Sequence, residues 1–417
     1  MSKLEQMLKY VSEHNEFYKN RIKEYGIKDP LDITQWPILT RKELQENRYN
    51  MFSDGYMSKY YLHELIHHSS SGSSGVPVDI YWDHNDYQRS ILNLWRLRSR
   101  YYGVTPASKK VMFSLIGLDG LNFENRYYIQ PQRNIIIFNR SHLRNDEECL
   151  KIINKIEEFN PDWIYIQPSI LNRLIEIYNI QNKRIPDSVK YIECVGELFS
   201  SLTERKVRHI FNGKIANMYG SEENNGIALD CPNGLLHILK ENVHLEVIYN
   251  NKIMNTGRGN AIITNLNNYA MPLIRYAQGD IVNICDHKCT CGDHSPVIAV
   301  IEGRAIDVIY TDNMEISTYL LSEMITNVQN LFNDPIKSYK FVYYKKSQTL
   351  VLHLDYTHQK QQWRLKIEKY LEAKFLNVTK NNSSLHFIIK QSSEEELNYN
   401  DKFKILLIKE DVYKYEH

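Results

Sequence analysis

The sequence predicts an α/β fold: a large N-terminal domain of layered α/β sheets plus a small antiparallel region, then a small α+β C-terminal domain. Three observations predict it. Between about residues 79 and 218, strand-like and helix-like segments alternate, as parallel βαβ units require. From about Leu236 to Ile284 the pattern changes to short strands and turns. After Gly303-Arg304, a helix, two strands, a helix and a strand make up a stretch of separate-unit size. The expected domains are 1–302 and 303–417.

In chain order, Leu4, Met7, Leu8, Val11, Phe17 and Tyr18 recur at helical spacing within 3–25. Trp36-Pro37-Ile38-Leu39 leads to a second helix, with Thr40 as N-cap and Glu43 completing a capping box. Ser69-Ser70-Ser71-Gly72-Ser73-Ser74-Gly75-Val76-Pro77 is loop, because Ser competes for backbone hydrogen bonds and Gly has nothing to pack. Val78–Trp82 reads as a strand and Asp83–Tyr102 as a helix whose Arg89, Arg96, Arg98 and Arg100 form a solvated face. Strands follow at Lys109–Ile116, Asn134–Asn139, Asp162–Ile166, Val189–Val195 and Ile215–Met218. Helices separate them at Glu147–Phe159, Ser169–Tyr178 and Ser201–Phe211. The last segment gives helices at Thr318–Phe332 and Gln361–Phe375, and strands at Ser338–Tyr344, Leu350–Tyr356 and Leu385–Lys390.

Composition narrows the function. The chain has 417 residues, 42% of them hydrophobic, and a formal net charge of +1. A sizeable core is available, and without a basic excess nucleic acid is not the expected partner. No apolar run approaches the roughly eighteen residues of a membrane span. The charged N-terminus has no apolar segment of the signal-peptide kind, so a cytoplasmic location is expected. Six cysteines are too few for a disulfide scaffold at this length. Three of them crowd into Cys285–Cys291, which reads as metal or redox chemistry in a reducing compartment.

A Gly/Ser loop leading into a strand offers hydroxyls and backbone N–H groups to a phosphate; by composition alone it is equally a solvent linker. Three further clusters follow it: Met218-Tyr219-Gly220-Ser221-Glu222-Glu223 at a strand exit, Met271-Pro272-Leu273-Ile274-Arg275-Tyr276-Ala277-Gln278-Gly279-Asp280, and Ile301-Glu302-Gly303-Arg304. In this order they resemble the core motifs of the adenylate-forming (acyl-activating) enzymes. The nearest branch is the phenylacetate–CoA ligase-like group, especially members encoded with capsule and surface-polysaccharide genes. The resemblance runs from Trp36-Pro37-Ile38-Leu39-Thr40-Arg41-Lys42-Glu43 to Asn400-Asp401-Lys402-Phe403-Lys404.

The resemblance implies that a carboxylic or amino acid attacks the α-phosphate of ATP, releasing pyrophosphate, and that a thiol such as coenzyme A, a carrier-protein thiol or an amine then takes the acyl group. It places Ser70, Ser71, Gly72, Ser73, Ser74 and Gly75 at the phosphates, without the lysine that many members carry where Val76 stands. Tyr219 stacks on adenine, with Asn217, Met218, Gly220, Ser221 and Glu222 around it. Glu223 holds Mg²⁺, Asp280 accepts from the ribose hydroxyls, and Arg304 contacts ribose and marks a hinge. The mobile C-terminal domain supplies Lys402, whose charge offsets that of the transition state; Lys404 is the competing lysine. Gly196 and Glu197 line the nucleotide and acyl pocket, joined by the Leu115–Asn122 turn. A non-catalytic nucleotide-binding scaffold is the alternative from another class, supported by Val76, Ile306 and the Asn-Asp before Lys402 and opposed by Glu223, Asp280 and Arg304. A homodimer is compatible with these readings and required by none.

Cys289-Thr290-Cys291-Gly292 is a knuckle, and Cys231 with His237 forms a second half. Two thiolates on a turn with a second Cys/His pair suit a closed, structural Zn²⁺ site; Cys285, His287 and His294 compete as ligands. Cys149 and Cys194 read as buried thiols.

Overall fold

The computed structural model describes residues 1–69, 77–114, 124–311, 314–357, 362–379, 385–393, 397 and 405–413. The chain divides into two compact units: Met1–Phe199 with Val207–Val300, and Ser200–Lys206 with Ile301–His417.

The first unit opens with α1 (Lys3–His14), α2 (Glu16–Tyr25), α3 (Arg41–Glu46) and α4 (Tyr56–Tyr61). What the sequence presents as one helical stretch breaks at Asn15. Its N–H closes α1 on Val11 while its side chain accepts from Tyr18 N and caps α2. The Thr40/Glu43 capping box of α3 is present in both directions. Then come β1 (Ile66–Ser69), β2 (Asp79–Trp82), α5 (His84–Tyr102), β3 (Lys110–Ser114), β4 (Tyr127–Gln130), β5 (Ile135–Asn139), α6 (Asp146–Phe159), β6 (Trp163–Ile166), α7 (Pro168–Ile180), β7 (Tyr191–Val195), α8 (Ser201–Arg208, which falls in the second unit up to Lys206) and β8 (Lys214–Ser221). An antiparallel run follows: β9 (Asn225–Asp230), β10 (Leu236–Ile238), β11 (Val243–Tyr249), β12 (Lys252–Met254), β13 (Gly257–Asn265), β14 (Tyr276–Cys285) and β15 (Val297–Arg304).

The antiparallel region is not a separate layer. One sheet carries the order β12-β11-β13-β14-β15-β10-β9-β8-β7-β6-β3-β5-β4, so it continues straight from the parallel strands β5, β3, β6, β7 and β8. Both β5 and β7 are buried at every position, as strands covered on two faces require. On one face, Ile164, Ile192 and Cys194 pack with Ile152, Ile156, Leu171 and Leu174 of α6 and α7.

The other face takes α5. Its buried series is Asp86, Ser90, Leu94, Arg98 and Tyr102, a repeat of four that faces the sheet. This corrects the expectation that Arg98 shares a solvated face with Arg89, Arg96 and Arg100. Arg98 is 6% exposed and meets the fully buried Glu193 of β7 through two hydrogen bonds, 2.8 and 2.5 Å. A guanidinium can lie inside when a carboxylate matches its fork.

The second unit holds the hairpin β16 (Ile309–Thr311) and β17 (Met314–Ile316), then α9 (Thr318–Phe332), β18 (Ile336–Tyr344), β19 (Thr349–Tyr356), α10 (Arg364–Val378), β20 (His386–Gln391) and β21 (Leu406–Lys409). Its four-stranded sheet has the order β20-β19-β18-β21. Leu321, Ile325 and Val328 of α9 and Ile367, Leu371 and Phe375 of α10 pack with Phe341, Leu350 and Leu352.

Candidate active site

Ser70, Ser71, Gly72, Ser73, Ser74 and Gly75 lie outside the described residues, as do Lys402, Lys404 and the Leu115–Asn122 turn. The two strands bordering the Ser/Gly loop are described and pair antiparallel, Ser69 opposite Asp79. His67 Nε2 lies 2.9 Å from Asp79 Oδ1, and Arg48 Nη1 donates to Asp79 Oδ2 at 2.5 Å. Burial raises the Asp79 carboxyl, but hydrogen bonds from His67, Ser69 and Arg48 outweigh it and hold the group below its ordinary range. Both ends of the loop are therefore tied to one ion-paired ladder.

At the exit of β8 the motif residues converge. Tyr219 Oη donates to Asp280 Oδ2 at 2.6 Å. Gln278 Nε2 donates to the same carboxylate oxygen at 2.7 Å and to Tyr219 Oη at 3.0 Å. Gln278 Oε1 accepts from Ser221 Oγ and from Asn224 Nδ2, each at 3.0 Å. Residues 278 and 280 share a strand face by the period of two, so that spacing was the signal that could have singled out Gln278. The β8–β9 ladder shifts register between Tyr219 and Gly220, and Asn225 turns the chain with φ 56°. A Cβ on Gly220 would stand 2.5 Å from Asn225 O, which only glycine avoids.

Glu223 is 5% exposed, and Asn265 Nδ2 donates to its backbone carbonyl at 3.3 Å. Arg41 Nη1 lies 4.0 Å from Glu223 Oε1. Arg41 arrives there because Leu39 N donates to Arg275 O and Leu39 O accepts from Ala277 N, which lays the Trp36–Thr40 segment along the start of β14. Glu222 is paired with His68, Nδ1 to Oε2 2.7 Å. Sequence reasoning missed Arg41 and His68; a contact across 154 residues leaves no local signal.

The other predicted residues are spread more widely. Gly196 follows β7 with φ 74°, and Glu197 accepts from Ser169 N and Oγ, both at 2.8 Å, at the start of α7. Asn217 N donates to Asp230 Oδ2 at 2.7 Å, and Met218 is 9% exposed. Arg304 ends β15 and belongs to the second unit.

The Cys/His halves come together. One donor atom from each of Cys231, His237, Cys289 and Cys291 lies within 4.8 Å of the others. Cys231 Sγ and Cys289 Sγ are 3.7 Å apart, and Cys291 Sγ is 3.5 Å from His237 Nε2. Tetrahedral bonds of about 2.3 Å to sulfur and about 2.0 Å to nitrogen give edges of about 3.8 and 3.5 Å. His237 Nδ1 donates to Ser295 O at 3.2 Å, which leaves Nε2 as the free donor. The Cys291 backbone N–H, then the Asn233 amide, bring the Cys289 thiol down to about 6, whereas burial pushes Cys231 up to about 11. Cys285, His287 and His294 are not in this group.

No protein-family model matches the chain. It is 24% identical over 160 residues to N-(5-amino-5-carboxypentanoyl)-L-cysteinyl-D-valine synthase of Penicillium rubens, 37% of this chain and 4% of that one. It is 25% identical over 189 residues to phenylacetate-coenzyme A ligase of Thermus thermophilus, 42% of each chain. The chain thus matches less than half the length of these relatives. Among solved structures, 2-hydroxyisobutyryl-CoA ligase in its postadenylation state aligns over 98% of this chain and 88% of its own, with TM-score 0.76 and 14% identity. An acyl acid amido synthetase bound to 2,4-DB aligns over 98% and 90%, with TM-score 0.66 and 14% identity. Over 98% of its length, the chain shares the fold of these two enzymes.

Proposed function

We propose that the chain is an ATP-dependent ligase that activates a carboxylic acid as its acyl-adenylate, releases pyrophosphate, and passes the acyl group to a thiol such as coenzyme A or to an amine. The observation that carries this reading is the Tyr219–Gln278–Asp280 network beside the buried Glu223 at one strand exit. Asp280 is the ribose acceptor and the Tyr219 ring the adenine platform. Magnesium held at Glu223 supplies charge to the phosphate oxygens; a buried carboxylate is a hard oxygen donor of the right kind. Lys402 supplies the second cation of the reaction. Zinc at Cys231, His237, Cys289 and Cys291 is structural, because four protein donors leave no open position. The six free cysteines suit a reducing, cytoplasmic setting.

ATP–pyrophosphate exchange across a panel of carboxylic and amino acids tests the reading. Exchange with one acid class, abolished by Lys402→Ala and retained by Lys404→Ala, is expected. Tight ATP binding with no exchange for any acid would leave a nucleotide-binding scaffold instead.

A further inference from the structure

A cavity of about 350 Å³ runs along one stripe of α5. Ile66, Tyr87, Ile91, Leu92 and Trp95 give it apolar and aromatic walls, and Arg133 closes one side. Tyr87 connects it to the strand exit: its ring lies 5.3 Å from that of His68, which holds Glu222. Trp95 connects the cavity to a buried charge cluster. The Arg98 guanidinium stacks 4.9 Å from the Trp95 ring and 5.3 Å from the Trp163 ring. Lys110 Nζ lies 5.2 Å over Trp163.

The charges in this cluster do not balance. Glu193 already accepts two hydrogen bonds from Arg98 and one from Tyr191 Oη at 2.6 Å. Among the described residues Lys110 makes no ion pair of its own: Glu193 attracts it less than Arg98 repels it, and Arg133 adds a further positive charge. Burial, followed by repulsion from Arg98, brings the Lys110 ammonium down to about 8. A low-dielectric site with an excess cation favours an anion at its mouth.

We propose that this cavity receives the body of the acid substrate, and that Lys110 and Arg133 select acids carrying a second anionic group distal to the carboxylate that reacts. The proposal rests on the acid-activating reading above. The reacting carboxylate lies at the Tyr87 end, nearest Glu222, and the second anion at the Trp95 end. An apolar body between two anions suits walls of Ile, Leu and Trp.

The test uses two matched pairs of acids, phenylacetate against 4-carboxyphenylacetate and heptanoate against pimelate. Calorimetric binding in the presence of a non-hydrolysable ATP analogue, and ATP–pyrophosphate exchange, are both measured. The wild-type protein is expected to prefer the diacid of at least one pair tenfold or more. Lys110→Met, which keeps the length and removes the charge, and the exposed Arg133→Gln are each expected to erase most of that preference while ATP-analogue affinity stays within twofold. A wild type that prefers both monoacids, or a diacid preference unchanged in both variants, overturns the proposal. Exchange with monoacids only would sink this inference and keep the ligase reading. Diacid binding that depends on Lys110, without exchange, would do the reverse.

Discussion

The Tyr219 hydroxyl and the Asp280 carboxylate are joined at 2.6 Å, with Gln278 donating to both. One oxygen of Asp280 is thus held by two donors, the Tyr219 hydroxyl and the Gln278 amide. Asp280→Ala removes a charged acceptor, and bonds to charged groups are worth about 1.5–3 kcal/mol each. Binding of a non-hydrolysable ATP analogue is expected to weaken by roughly 10- to 100-fold. Tyr219→Phe keeps the ring and loses one donor, so only a few-fold loss is expected. Equal losses for the two variants in calorimetry would contradict this division of roles.

Gly220 tests whether the bulge orients that network. Gly220→Ala forces a Cβ into the Asn225 carbonyl, whereas Gly234→Ala meets open space. The first is expected to lower stability by about 1–3 kcal/mol and to weaken nucleotide binding. The second strains a φ of 75° but leaves nucleotide affinity intact. Urea titrations with parallel binding measurements separate the two effects.

Arg275 and Glu246 form a buried pair, at 2.9 and 2.6 Å, and Arg275 Nη1 also donates to the Trp36 carbonyl. Glu246→Gln leaves the guanidinium buried without a counter-charge, a change of about 3–5 kcal/mol. Unfolding followed by intrinsic fluorescence should show that loss. A midpoint unchanged from wild type would mean that the pair is not what fixes the Trp36–Thr40 segment on β14.

Purified protein is expected to contain close to one equivalent of zinc. Cys289→Ser should lose most of it and Cys285→Ser should keep it, because only the former lies in the four-donor group. Metal analysis reads both, and a metal-free wild type ends the zinc assignment.

Alkali should unfold this chain sharply. Burial raises Tyr18, Tyr165, Tyr178 and Tyr191 well above the ordinary value of 10, and Tyr339 to about 12. Above pH 10 the unfolded state releases these protons while the native state keeps them. The slope of stability with pH is therefore negative, about 1.4 kcal/mol per unit for each such tyrosine. The contribution is complete below pH 10 and is lost as pH rises toward 12. The last step of the tyrosinate absorbance, after the exposed rings, should coincide with loss of circular dichroism; complete ionisation with the circular dichroism intact would refute the expectation.

What could be read in the sequence was local. The Thr40/Glu43 box, the α9 boundaries and the glycine before Ser221 are fixed by neighbours in the chain. The four sulfur and nitrogen donors could be named, but their choice over Cys285 and His294 is made by β10 pairing with β9 and β15, a tertiary fact. Arg98 was misjudged because charge pattern on a helix reports exposure only when no partner waits inside. Glu193 waits 95 residues away. His68 with Glu222 and Arg41 with Glu223 were hidden for the same reason.

The helix α5 has 19 residues, a span of about 28 Å. At its far end, Arg100 Nη2 donates to Cys291 O and Tyr101 Oη to Asp293 Oδ2, so the cysteine knuckle grips its last turn. At its near end it starts directly after β2, the strand that leaves the Ser/Gly loop. A rod clamped at both tips cannot be lengthened or slid by a turn without detaching one of them. Descendants of this chain that adapt to a longer or shorter substrate must do so by exchanging side chains at fixed backbone sites such as Ile91, Leu92 and Trp95. The ruler stays the same, and only its markings can evolve.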